Sequence, residues 1–206
     1  MNFRSLPLLV VALGVSLSGA SLSNTVQVHK GTAHDALYGL CESGSQQLAV
    51  GDAGLVLESQ DAGESWAKIE AFTESALLDV SCRNDVSLVV GQEGAIYRRA
   101  FKDLKAVDGL KAVDGLKAVE GFTSIASNTD ERLLSVSDVS ASGLAFAVGG
   151  FGTILRSTDS GLSWESVSMD WPAMTNDFFE PHLYDVHVSD SGIVTVVGEF
   201  ELIIQS

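Results

Sequence analysis

The chain has 206 residues, enough for one domain with a substantial core, and its 46% apolar share is that of a globular chain rather than a disordered one. Its 27 acidic residues against 12 Lys and Arg give a net charge of −15. That balance argues against nucleic acid and anionic lipid surfaces as partners, because phosphate binding needs clustered cations.

Residues 1–20 read as a secretory signal: Arg4 supplies the positive start, Leu6 to Val15 the apolar segment, and Ser18-Gly19-Ala20 the small residues for cleavage. The expectation is export to the periplasm or the extracellular space, with an uncleaved anchor as the alternative. Cleavage would take away one cation and no acid, moving the charge from −15 to −16. The mature chain has no apolar run long enough for a membrane span. Residues 21–35 form an N-terminal segment in which "NTVQVH", Asn24 to His29, is a candidate ring-closing strand.

From residue 36 to 206 the chain repeats. Four segments share one pattern, "LAVGDAGLVLES" from Leu48, "LVVGQEGAIYRR" from Leu88, "FAVGGFGTILRS" from Phe146 and "TVVGEFELIIQS" from Thr195, aligned on Gly51, Gly91, Gly149 and Gly198. Each follows another short apolar run, beginning at Leu37, Leu77, Leu133 and Leu183. Runs of four to seven residues rich in Val, Ile and Leu, bounded by glycine and polar turns, predict strands and give helix almost no support. One unit is then three strands, a turn and a fourth strand near a tryptophan. Such units at about 40 residues predict an all-β fold, a β-propeller of about four four-stranded blades. The ring either closes on itself, with Asn24–His29 completing the last blade, or is an open portion of a larger propeller. The glycine spacing widens in the second unit because residues 104–121 repeat a hexapeptide, "LKAVDGLKAVDGLKAVEG", expected to lengthen a surface connection. Its Lys105, Lys111 and Lys117 offer a docking arm as the functional alternative.

Two turns share a stricter pattern. "SQDAGESW" (Ser59, Asp61, Gly63, Trp66) and "STDSGLSW" (Ser157, Asp159, Gly161, Trp164) both read Ser-x-Asp-x-Gly-x-x-Trp, the Asp-box pattern. The serine and aspartate oxygens can bond backbone N–H groups of the turn, the glycine accepts a positive φ, and the tryptophan covers the corner. A motif copied at matching phase in a repeat predicts scaffold rather than catalysis. Cys41 and Cys82 occupy nearly corresponding places in successive units; they are read either as a disulfide, in an oxidising compartment, or as two buried thiols.

The remaining polar clusters offer little chemistry. His182, Asp185 and His187 in "EPHLYDVHV" form a candidate cation site, with Asp185 and His187 on one face of a strand, against the alternative of an ordinary solvated strand start. His29 and His34 are isolated. Tyr38, Tyr97 and Tyr184 fall in predicted strands, and no arginine cluster precedes the turns, which leaves a sialidase-like hydrolase without its nucleophile setting. The longer connection from Met169 to His182 carries Trp171, Phe178 and Phe179, candidates for a partner-contact loop, with packing over the blade edge as the more common alternative. No catalytic residue, cofactor or metal is expected.

The paired stretches Val50 to Trp66 and Val148 to Trp164 resemble the exported propellers of the photosystem II stability/assembly factor family, also described as BNR or Asp-box repeat proteins. The resemblance implies a non-catalytic scaffold that binds a protein partner, such as a subunit of a membrane complex, and a thylakoid lumen location if the source is phototrophic. Members of that family are longer, and the surface implicated in binding is arginine-rich, whereas only Arg83, Arg98, Arg99, Arg132 and Arg156 follow the signal here. A carbohydrate-binding or sialidase-like propeller is the alternative function.

Overall fold

The computed structural model describes residues 31–83, 85–100, 121–175 and 179–206. The signal segment, the candidate strand Asn24–His29 and all of the hexapeptide segment but Gly121 lie outside them.

Four antiparallel meanders follow one another along the chain. The first joins β1 (Leu37–Ser43), β2 (Gln46–Gly51), β3 (Val56–Ser59) and β4 (Ala67–Ile69). The second joins β5 (Leu77–Arg83), β6 (Val86–Gly91), β7 (Ile96–Ala100) and β8 (Thr123–Ser124). The third joins β9 (Leu133–Val136), β10 (Ala145–Gly149), β11 (Ile154–Ser157) and β12 (Glu165–Ser166). The fourth has three described strands, β13 (Leu183–Val188), β14 (Val194–Gly198) and β15 (Ile203–Gln205). β7 and β8 pair through Tyr97 with Ser124 and Arg98 with Thr123, so the chain leaves and rejoins the same sheet across the repeated hexapeptides. Helix was not expected anywhere, yet one short turn, α1 (Trp171–Thr175), interrupts the third connection. Asp170 caps it by accepting a hydrogen bond from the Ala173 N–H at 3.2 Å.

The aligned glycines follow from a bulge. In each sheet the first strand carries one extra residue, Tyr38, Leu78, Leu134 or Tyr184, opposite the end of the second strand. The N–H groups just past the second strand, of Asp52, Gln92, Gly150 and Glu199, then donate to the carbonyls of Ala36, Ala76, Arg132 and His182 at 2.9 to 3.0 Å. A β-carbon on Gly51 would lie 1.9 Å from the Ala36 oxygen, and one on Gly149 at 1.9 Å from that of Arg132. The Gly51 backbone is extended, at φ −167°. Room for a neighbouring backbone, not a special conformation, therefore fixes glycine there.

The core lies in three seams between successive sheets. Because side chains alternate across a strand, each central strand feeds two seams, and all six residues of β6 are buried. Leu48, Val50 and Val56 meet Val80, Val89 and Phe122. Val86, Leu88, Val90 and Ile96 meet Val136, Ala147, Leu155 and Trp164. Val148 and Ile154 meet Val186, Val196 and Trp171. Among the described residues the set does not close into a ring: Leu40 on the first sheet is 64% exposed and Ile203 on the last 70%.

Candidate functional site

The two Asp-box turns are built alike. The Ser59 hydroxyl donates to Asp61 Oδ1 at 2.8 Å and accepts from the Gly63 N–H at 2.8 Å, while Asp61 accepts from the Ser65 N–H and hydroxyl at 2.8 and 2.6 Å. Ser157, Asp159, Gly161 and Ser163 repeat the set within 0.1 Å. Ser65 and Ser163 were not singled out from the sequence, although their shared place just before each tryptophan was the signal. Hydrogen bonds from Ser65 and Ser59 hold the Asp61 carboxyl down at about 2. For Asp159 partial burial works the other way, but the bonds from Ser163 and Ser157 outweigh it and its pKa is also lowered. The side-chain oxygens of Ser59, Asp61 and Ser65, and of their counterparts Ser157, Asp159 and Ser163, are thus engaged within the turn.

The tryptophans differ. Trp164 is buried in the seam between the second and third sheets, where Gly161 comes so close to Leu88 that a β-carbon would sit 2.4 Å from its side chain. Trp66, at the same phase, covers Ala49 and Leu57 and stays half-buried, with no preceding sheet among the described residues. The second sheet lacks the box and holds its outer edge with aromatics instead. Phe72 packs on Tyr97 and Phe122 with ring centroids at 4.8 and 5.2 Å, and the Arg99 guanidinium covers Phe122 while pairing with Glu58 across the seam at 2.5 Å. Of the two readings of the cysteines, the structure has the disulfide: Cys41 and Cys82 join β1 to β5 with Cα atoms 5.4 Å apart.

The first strands of all four sheets line a polar axial cavity of about 320 Å³. Asp79 reaches across a seam to accept the Val136 N–H at 2.9 Å, and Asp185 reaches back to the Ser135 hydroxyl at 2.9 Å. Burial raises the Asp79 pKa, and the charge of Asp185 adds to the rise against the pull of the Val136 and Val80 N–H groups. Asp185 and His187 both line this cavity. His182 does not join them: its Nδ1 accepts the Phe151 N–H at 3.2 Å, with the two rings edge to face at 5.0 Å. Among the described residues no three His, Cys, Asp or Glu side chains converge as cation ligands. His34 is exposed, and His29 lies outside the described residues.

The most exposed apolar groups near the third seam gather at one end of the molecule, where the second strands turn into the third. Phe151 and Phe200 occupy the same position in this turn, 57% and 68% exposed, where the first two sheets carry Ala53 and Glu93. Both take a left-handed backbone, φ 48° and 59°, a costly conformation for a bulky side chain. Phe151 packs edge to face on His182, whose backbone N–H donates to Glu199 Oε2 at 2.9 Å; the Tyr184 hydroxyl donates to the other oxygen at 3.3 Å. Phe179 is 64% exposed, and Phe178 lies outside the described residues. Of the two readings of Trp171, partner contact or packing over the blade edge, the structure has the packed one, 5% exposed. Its ring fills the corner above Gly152, where a β-carbon would come within 2.3 Å of Nε1, so it belongs to the third seam. Phe151 and Phe200 escaped the sequence reading because they sit inside the repeat, disguised as turn positions.

No protein-family model matches the sequence, and no curated protein does. Solved structures do. A structure of YCF48 bound to D1 peptide shares 14% identity at a TM-score of 0.58, over 88% of this chain and 52% of that one. YCF48 from Cyanidioschyzon merolae shares 19% at 0.57, over 84% and 53%. The RRP9 WD40 repeats share 9% at 0.60, over 87% and 51%. The fold is a β-propeller, open among the described residues. The chain spans about half the length of these structures, so the propeller they share with it is the architecture of each sheet and its radial order.

Proposed function

We propose that this chain is an exported, non-catalytic propeller that binds another protein, acting as an assembly or stability factor for a membrane complex in the manner of the photosystem II factors it resembles. One observation carries the reading: Phe151, Phe179 and Phe200 stand exposed on the third and fourth blades, two of them at a turn position where the first two sheets carry Ala53 and Glu93. A similar propeller, YCF48, has been solved with the D1 peptide bound. The Cys41–Cys82 disulfide accords with an oxidising compartment, periplasmic, extracellular or lumenal. The partner segment suited to this rim is an apolar peptide with basic residues, since the propeller carries a net charge of −15 and the axial cavity presents Asp79 and Asp185.

The test is affinity capture from envelope extract with the wild-type chain and a Phe151→Ser, Phe200→Ser double variant. A membrane or envelope protein retained by the wild type and lost at least tenfold by the variant is expected. Equal capture by both, or release of a sugar from glycan substrates, would overturn the reading.

A further inference from the structure

Three seams inside the propeller obey one rule. The face of a blade that looks forward along the chain uses residues of its second and third strands, such as Val86, Leu88, Val90 and Ile96, and these pack on the backward face of the next blade, such as Val136, Ala147, Leu155 and Trp164. At the same repeat positions the first blade carries Leu40, Ala49, Leu57 and Trp66 on its backward face, and the last carries Ile193, Thr195, Val197 and Ile203 on its forward face. Among the described residues neither set has a blade to meet. Leu37, Tyr38, Leu40 and Trp66 border an open apolar groove of about 390 Å³, and Ile193, Val197 and Ile203 are 42%, 37% and 70% exposed.

We propose that the occupant of each open face is a second copy of this chain, joined head to tail. The forward face of one copy's last blade seats on the backward face of its partner's first blade, reciprocally, so that two copies complete one ring through two seams. The faces are complementary because each is the same repeat position as a face already packed on its counterpart at the internal seams, and the new seams continue that established packing. Self-closure is disfavoured by the exposure of Leu40 and Ile203, which in a closed chain would face one another. The length is compatible with this, since this chain spans 52% and 53% of the length of the two YCF48 structures. Burial of such apolar faces drives association without specific charges, as in obligate interfaces.

Light scattering on the full chain should give twice the 21.7 kDa of one copy, and Ile203→Lys should return the mass to that of one copy with an unchanged β-sheet circular dichroism spectrum. A wild-type monomer at the highest soluble concentration, or an Ile203→Lys protein that keeps the doubled mass, overturns the proposal. A short bismaleimide added to an equimolar mixture of Tyr38→Cys and Ile203→Cys chains should link one copy of each. Absence of that product overturns it too. So does efficient cross-linking within single chains that carry both substitutions, because it means that the ring closes on itself. Loss of association would leave the partner-binding rim intact, and loss of partner capture would leave the doubled mass intact, so the two proposals fail separately.

Discussion

Two aspartates titrate in opposite directions for reasons visible at single side chains. Asp61 is fully engaged by Ser65 and Ser59, and its pKa of about 2 lies below the value of about 3.9 usual for an unfolded aspartate. A depressed folded pKa means that Asp61 adds stability above the unfolded value and loses it as pH falls towards about 2. Asp79, raised chiefly by burial, does the reverse: its contribution is fully present at low pH and declines as pH rises through its raised folded pKa. Comparing thermal melts of the wild type and Asp61→Asn between pH 5 and pH 2 checks the sign for the corner. The variant is expected to melt lower at pH 5 and to converge on the wild type at pH 2, because protonation has by then removed what the substitution removes. A constant difference across the range would show that the carboxylate charge plays no part in holding the turn.

At the scale of one strand and its turn, the repeated Val-Gly pair is the element on which everything else hangs. Gly149→Ala would drive a β-carbon to 1.9 Å from the Arg132 carbonyl and break the bond from the Gly150 N–H, at 2.9 Å, that closes the corner. A loss of about 2 kcal/mol is expected in urea unfolding, as for overpacking in a dense interior. Gly192→Ala, by contrast, meets nothing within 4 Å and suffers only a left-handed backbone at φ 84°, so a loss nearer 1 kcal/mol is expected. Equal losses would mean that conformation rather than space selects glycine in both places. The aligned glycines were legible because their spacing repeats. Their purpose was not, because it depends on a bulge at Tyr38, Leu78, Leu134 and Tyr184, where the sequence shows only an unbroken strand pattern. The Asp-box corners were legible in their residue types, since the bonds of Ser59 and Asp61 span two to four residues, but the part of Ser65 as donor to Asp61 was not. The aromatic rim was not, since Phe151, His182 and Glu199 come together only through the third seam. For the same reason the sequence leaves Trp171 open between partner contact and packing over the blade edge: nothing in its own segment announces that Gly152 leaves a hollow for the indole.

Across the whole molecule, stability should be uneven because the blades do not have equal company. The second and third blades are packed on both faces, whereas the first and fourth are packed on one. The first has a compensation the fourth lacks, the disulfide from Cys41 to Cys82 that staples β1 to β5. A closed loop of this length, with a sequence separation of 41, contributes on the order of 2–4 kcal/mol. The Arg83 to Asp190 ion pair, which links the second and fourth blades at the opposite end of the channel, is exposed on the Asp190 side and is worth little in water. Hydrogen exchange on the Ile203→Lys chain, in which both outer faces are free, should therefore rank protection from the second and third blades, through the first, down to the fourth. Reduction of the disulfide should move β1 and β2 down to the level of β13 and β14 and leave β6 and β10 nearly unchanged. If reduction instead lowers protection uniformly, the four blades unfold as one cooperative unit, and the disulfide acts on the unfolded chain as a whole rather than by fastening the first blade to the second.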